Sequence, residues 1–525
     1  MPSSISTAST VHAVLDDVVS RTPDAPFLVT PEGSWSYREV RDTADRLARA
    51  LHTIGVGSGD RVALAAPNCV EWVITLLATL RIGATVVALN VLYRENELDY
   101  MLNESGATVL ICASEHRGFD FVSFLEGFRN RLPGVNHFVF LHGGGFSTSR
   151  TWQHLIDSAS STERRWAPVS VHTPAVLLYT SGTTGAPKGA MLTHASILAS
   201  ARAQAAHLGQ RSDDAVIAHM PFNHVGGLTC TLVTAMTVGA RLILVPGFHP
   251  QQSLTAILEH GVTICVGVPT MFSLMMAEPA FADADLSAVR TCVIGEASLD
   301  PTLGRRVANA FPNALLANLY GLSETSGGCI VSGADDDLDT LVETLGVVIG
   351  DFRARVVDGD GTELPPGADG ELQIAGDCVA AGYWQRPDAS DEAFGSDGWL
   401  TTGDAAAIRD DGYVILRGRR TEMYVRGGYN VYPAEVENVL TSHPHVSMAA
   451  VIGVPDDTYG EVGVAFVVLD APVDIVELQT LCGTQLARYK QPDHFEVVDA
   501  LPLTPSGKIK KAALQELHGA PSPAD

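Results

Sequence analysis

Residues 179–189 read YTSGTTGAPKG and hold the densest concentration of reactive groups in the chain. Small residues expose backbone N–H groups, the hydroxyls add donors, and Lys188 supplies a point charge. Such a set forms a nest for an anion, and phosphate is the anion it suits. It is not a Walker A loop, which needs Gly before the Lys and Ser or Thr after it. Here Pro187 precedes Lys188 and Gly189 follows. An apolar strand, AVLLY at 175–179, leads in, and a helix over 193–207 is expected directly after the loop.

Further chemistry lies in PFNHVGG (221–227), YGLSET (320–325), GWLTTGD (398–404), GRRTEMYVRGGYNVYPAEVE (418–437) and PLTPSGKIKK (502–511). Glu324 is a carboxylate beside hydroxyls, and Asp404 follows a turn glycine. Lys508, Lys510 and Lys511 by themselves read as a solvated basic tail. A Ser-nucleophile elbow is excluded, because Gly321-Leu-Ser323-Glu-Thr325 lacks the second Gly of GxSxG. There is no HExxH either.

These residues need a scaffold, and the hydrophobic pattern supplies one. Ser36 can cap a helix whose apolar face is Val40, Ala44, Leu47, Ala48 and Leu51. Strands at 61–67, 84–89 and 108–112 alternate with helices at 70–82 and 95–104, which is βαβ wiring. The alternation resumes with strands at 175–179, 240–245, 262–268, 289–295 and 315–320. Two packed α/β halves follow. Short alternating runs with Asp-Gly turns at 360–361 and 411–412 predict an antiparallel β module. From about residue 430 a smaller α+β unit is expected, with helices at Pro433–Ser442 and Ile475–Ala487.

In this order, the motifs resemble the adenylate-forming enzymes: acyl-CoA synthetases, adenylation domains and firefly-type luciferases. The likeness spans about residues 11–514. It implies an α/β fold with a large N-terminal domain, residues 1–419, of two α/β subdomains and a β-barrel-like module. A small mobile α+β domain, residues 420–525, would carry the catalytic lysine. It also implies a two-step reaction. A carboxylate attacks the α-phosphorus of ATP, and a thiol, coenzyme A, then displaces AMP. Loading of a carrier protein is the alternative; nothing resembling a carrier domain follows Lys508.

By the same resemblance, Thr180, Ser181, Gly182, Thr183, Thr184, Gly185 and Lys188 cradle phosphates, and Glu324 with Thr184 holds Mg²⁺. Tyr320 stacks on adenine, with Gly295, Glu296, Ala297, Asn318 and Gly321 around it. Ser323 donates to the α-phosphate, and Asp404 and Arg419 bind ribose. Lys508 is the catalytic lysine, with Thr184, Lys188 and Glu324 beside it. His224, Gly428 and Tyr429 line the acyl gate and the thiol channel. The hinge departs from the family pattern: Thr421 and Glu422 stand where Lys and Asp are usual, and Arg426 where a small residue is common. The expected acyl pocket, around 224–229, 266–271, 295–298 and 321–323, is small and apolar, which favours a neutral hydrophobic acid.

Composition sets the outer limits. The chain has 525 residues, 46% of them hydrophobic, and a net charge of −26. So acidic a surface argues against nucleic acid and anionic membranes, both of which are recognised by Lys and Arg. The ligands named above are anions, so recognition must be local. Eight scattered cysteines form no CxxC and read as buried thiols in a reducing compartment, the cytoplasm. The N-terminus has no basic n-region. The apolar stretch 72–92 is broken by Arg81 and Gly83, so it reads as a buried helix and strand, with no stable membrane insertion. A homodimer is compatible with all of this.

Overall fold

The computed structural model describes residues 5–160, 164–180, 187–295, 299, 301–419, 422–427, 429–456, 458–503 and 509–519. A first, seven-stranded sheet runs in the order Lys188–Thr193, Pro174–Thr180, Thr85–Leu89, Arg61–Ala65, Val109–Cys112, His137–Phe140 and Arg150–Thr151. All neighbours are parallel except the first pair, which is antiparallel. Helix Tyr37–Thr53 begins at a capping box in which Ser36 and Glu39 satisfy each other's backbone N–H. Its expected apolar stripe is buried. Helix Val70–Ile82 is buried on nearly every side and stops at Gly83, whose φ of 84° is left-handed. The 72–92 stretch is thus a core helix followed by a strand. Among the described residues no helix is long and apolar enough to cross a membrane.

The second sheet has nine strands: Val347–Val348, Gly327–Val331, Leu315–Leu322, Thr291–Gly295, Ile264–Gly267, Ala215–Ala218, Arg241–Leu244, Pro26–Thr30 and Gly33–Ser36. The N-terminal hairpin 26–36 therefore completes the second α/β half, although the helix after it packs in the first. Tyr37, at this crossing, donates its hydroxyl to the Ala240 carbonyl at 2.6 Å. Strand Ala215–Ala218 escapes sequence reading because four residues between Asp214 and His219 are too short to display a period.

The β module is a four-stranded antiparallel meander of Arg353–Val357, Gly370–Ala375, Trp399–Ile408 and Val414–Arg419. The C-terminal unit has helices Pro433–Thr441, Ile475–Gln485 and Lys511–Gly519 against a mixed sheet. Its core is its own, built on Tyr424, Val436, Leu440, Val451, Val467 and Leu478. None of the eight cysteines forms a disulfide, and all but Cys69 are buried.

Candidate active site

Strand Pro174–Thr180 is buried from Ala175 to Leu178 and emerges at Tyr179 and Thr180. The chain returns antiparallel, with Lys188 opposite Thr180 and Gly189 opposite Tyr179. The Gly/Ser/Thr loop thus joins two strands, which corrects the expected strand-to-helix transition. The helix, His194–His207, begins only after Lys188–Thr193 has finished as a strand. The reason is tertiary: this second strand has a partner on each edge. On its far edge Met191 N donates to Gly382 O and Ala381 N to Met191 O, both at 2.9 Å, and Trp384 N donates to Gly189 O at 2.8 Å. A propensity reading cannot see a partner 190 residues away. The N-terminus of that helix therefore stands a full strand away from Lys188.

Both ends of the loop are braced by helix Glu95–Ser105. Tyr100 and Glu104 lie one turn apart on the same face. The Tyr179 hydroxyl donates to the Glu104 carboxylate. The Tyr100 hydroxyl donates to Pro187 O at 2.9 Å and receives Arg386 at 2.7 Å. Burial raises the Glu104 carboxyl above its usual range, and the Tyr179 hydrogen bond partly offsets this.

Strand Leu315–Leu322 delivers Tyr320 and Gly321, and a tight turn at Ser323–Thr325 presents Glu324. Glu324 Oε1 accepts the Tyr383 hydroxyl at 2.7 Å. The Lys188 ammonium sits 5.3 Å from the centroid of the same ring. Tyr383 is a site residue that sequence reading missed. Its only signal is the GYW of residues 382–384, which reads as a packing motif.

The predicted ribose pair is assembled by the meander. Asp404 and Arg419 face each other across adjacent strands. Asp404 Oδ1 pairs with Arg419 Nε at 2.8 Å, and Oδ2 accepts the Tyr320 hydroxyl at 2.5 Å. Asp404 is only 3% exposed, so one buried carboxylate orients both neighbours. Burial, then Asp404, pushes the Tyr320 phenol well up. Asn318 is buried, and its amide donates to Leu341 O at 3.4 Å and Thr344 O at 2.9 Å. Its donors are thus committed to holding strand Leu315–Leu322 in place.

Beside Gly321 lies a narrow apolar cavity of about 30 Å³ lined by Met220, Val225, Gly226, Cys230, Val266, Gly267, Val293, Gly295, Leu319, Gly321, Gly327 and Gly328. Six of these twelve are glycines, so much of the wall is bare backbone. Two of them are dictated by close approach: a Cβ on Gly295 would lie 2.7 Å from Leu319 O, and one on Gly321 would lie 2.1 Å from Gly327 O. The sequence anticipated the 225–226, 266–267, 295 and 321 walls. Gly327 and Gly328 reach the cavity only because strand Gly327–Val331 pairs back on Leu315–Leu322.

His224 caps a short helical turn, Val225–Gly227, its Nδ1 accepting Gly226 N at 3.3 Å. A π-helical turn, Leu228–Val233, follows, as is frequent at functional sites. Asn68 fixes the segment before it, donating to Ala218 O at 3.0 Å and Met220 O at 2.8 Å and accepting Phe222 N at 2.9 Å.

In the C-terminal unit, Tyr429 is exposed and stacked on Tyr489, with ring centroids 4.7 Å apart. Arg426 is built in rather than anomalous: it donates to Gln491 O at 2.9 Å and pairs with Asp493 at 2.6 Å. Lys511 corrects the solvated-tail reading. Its ammonium bridges Glu422 at 2.6 Å and Glu437 at 2.7 Å and is 18% exposed. Glu422, the departure from the usual hinge Asp, is thus half of an ion-pair clasp. Ser181, Gly182, Thr183, Thr184, Gly185, Glu296, Ala297, Thr421, Gly428 and Lys508 lie outside the described residues.

Lys188 beside the Tyr383–Glu324 pair, the Tyr320–Asp404–Arg419 cluster and the adjoining apolar slot are an arrangement suited to a nucleotide-dependent enzyme. The chain matches the AMP-binding enzyme model over residues 15–384 and the AMP-binding enzyme C-terminal domain over 435–508, and it belongs to that family. It is 35% identical to a (7a-methyl-1,5-dioxo-octahydro-1H-inden-4-yl)propanoyl:CoA ligase of Mycobacterium tuberculosis, over 97% of this chain and 99% of that one. It is 35% identical to a feruloyl-CoA synthase of Amycolatopsis, over 92% and 94%. Among solved structures, an anthranilate CoA ligase in complex with anthranoyl-AMP superposes with a TM-score of 0.90 at 28% identity, covering 97% of each chain. The protein is an AMP-forming acid–CoA ligase of the acyl-CoA synthetase type, a class that uses ATP, Mg²⁺ and coenzyme A.

Proposed function

We propose that the enzyme activates a neutral, hydrophobic carboxylic acid, and that a ring-bearing acid suits it better than a long linear chain. The single observation behind this is the cavity beside Gly321, whose twelve lining residues include six glycines and no Asp, Glu, His, Lys or Arg. Bare backbone makes flat walls, which suit the face of an aromatic or alicyclic ring. With nothing basic in the lining, a second carboxylate on the substrate would be buried unpaired, at a cost of several kcal/mol.

In the first half-reaction, the acid's carboxylate oxygen attacks the α-phosphorus of ATP, the α–β phosphoanhydride bond breaks, and pyrophosphate leaves. Both reactants are anions, so the site must neutralise charge. We assign this to Lys188, the 180–185 loop and Lys508. Glu324, with Thr184, would hold Mg²⁺. A carboxylate held through one oxygen by Tyr383 is the hard ligand that ion takes. When bound, Mg²⁺ neutralises phosphate oxygens. Asp404 and Arg419 would receive the ribose, and the Tyr320 ring the adenine. In the second half-reaction, the coenzyme A sulfur attacks the acyl carbon, AMP leaves, and a thioester forms. His224, Gly428 and Tyr429 are assigned to that entry path. We place the domain boundary after Arg419, where the core around Tyr424 begins, and the protein in the cytoplasm, in keeping with cysteines that form no disulfide.

The test is a panel of acids, from acetate to palmitate with benzoate and alicyclic types, incubated with ATP and coenzyme A while AMP and pyrophosphate are followed. Ring-bearing acids should give the highest kcat/KM. A preference for dicarboxylates or acetate would overturn the assignment. Lys508→Ala should abolish acyl-AMP formation yet leave thioester formation from supplied acyl-AMP; equal loss of both would remove Lys508 from its role.

A further inference from the structure

We infer that Tyr383 is a positioning residue that keeps Lys188 and Glu324 apart, so that both stay available to the nucleotide. This rests on the ATP site assigned above. The phenol contacts two opposite charges with different parts of its side chain. Its hydroxyl donates to Glu324 Oε1 at 2.7 Å, and its ring face meets the Lys188 ammonium at 5.3 Å from the centroid. Among the described residues neither Lys188 nor Glu324 makes an ion pair. A half-buried Lys and Glu set free to meet would pair directly. That pair would cancel the cation needed for phosphate and occupy the carboxylate needed for the metal.

The backbone of residues 380–386 is fixed so as to prevent this. Tyr383 pairs with Ala190 across the edge of the strand that carries Lys188. Ala380 N donates to the Glu324 carbonyl at 2.8 Å, and Tyr383 N donates to Ser390 Oγ at 2.8 Å. Phe394 holds the ring edge-on at 5.3 Å. One short segment is therefore anchored to both the Lys188 strand and the Glu324 turn, and Tyr383 is its wedge.

The experiment titrates MgATP calorimetrically onto the full-length protein at several Mg²⁺ concentrations. Tyr383→Phe keeps the wedge and loses the donor. It should raise the Mg²⁺ needed for half-maximal binding by roughly tenfold and be rescued by added Mg²⁺. Tyr383→Leu removes the wedge and should weaken ATP binding even without Mg²⁺, because Lys188 is then paired with Glu324. Adding Glu324→Gln to Tyr383→Leu should restore Mg²⁺-free ATP affinity, whereas Glu324→Gln alone should not raise it. A purely structural role predicts that the two losses add. Wild-type binding in both Tyr383 variants, or no recovery in the double variant, overturns the inference. Absence of MgATP binding by the wild type would instead overturn the site assignment on which it rests.

Discussion

Two buried histidines, His194 and His219, and the half-buried His12 make the N-terminal region sensitive to acid by a calculable amount. His219 is fully buried, donating Nε2–H to Val266 O at 2.8 Å and accepting Ser253 at 3.1 Å on Nδ1. Burial lowers its pKa from 6.5 to about 4. Burial likewise lowers His194 to about 4. His12 falls to about 3 through burial first, then Arg81 and His194. The folded state thus keeps all three neutral at pH 5.5 while the unfolded chain protonates them. Stability is full above pH 6.5 and is lost as pH falls toward the folded values. At pH 5.5 each unfolded imidazole is about ten to one protonated, a loss of about 1.4 kcal/mol per histidine and about 4 kcal/mol together. That figure depends only on the folded imidazoles staying neutral, so the exact folded pKa values do not matter. Against a typical total of about 5–15 kcal/mol it is large.

The assay is urea unfolding at pH 7.5, 6.5 and 5.5, with the m-value monitored because the chain has more than one core. His219→Asn should be less stable at pH 7.5 yet lose about 1.4 kcal/mol less than wild type between pH 7.5 and 5.5. His194→Asn should behave the same way. Identical pH slopes in wild type and both variants would refute the reasoning. Because His219 adjoins cavity residues Met220 and Val266, its protonation should also weaken acid binding before global unfolding.

Gly321→Ala should place a methyl 2.1 Å from Gly327 O. Overpacking of this kind costs about 1–3 kcal/mol and should shrink the acyl slot, so KM for bulky acids should rise more than KM for ATP in steady-state kinetics. Lys511→Met should leave Glu422 and Glu437 facing each other without their cation. Both carboxylates are partly solvated, so the loss should be about 1–3 kcal/mol rather than the 3–5 of a fully buried pair. Loss of the second transition in a calorimetric scan at an unchanged first transition would be read as local to the C-terminal unit.

Much of the scaffold is legible in the sequence because its signals are local. The Ser36 cap, the stripe Val40–Leu51 and the Gly83 stop each lie within a turn or two of the element they define. The phosphate-type loop is legible for the same reason: eleven consecutive residues carry it. Other features are not local. Strand Lys188–Thr193 owes its conformation to Gly382–Trp384, and Tyr383 becomes a site residue only when that pairing brings it over Lys188. Lys511 looks solvated until helices Pro433–Thr441 and Lys511–Gly519 bring Glu437 beside it.

The sequence by itself therefore determined the reaction class, the identity of the charged groups and the apolar character of the acyl slot. The charged groups and the apolar character follow from residue types in short ordered runs, and the reaction class from the resemblance those runs carry, none of which needs folding to be read. Tertiary structure alone decided which groups touch. It joined Tyr320, Asp404 and Arg419 into one cluster, closed the slot with Gly327 and Gly328, and set Tyr383 against both Lys188 and Glu324. The Tyr320–Asp404 and Lys188–Tyr383 contacts span scores of residues along the chain, and the others depend on which strands pair, so only the folded sheets bring these groups together.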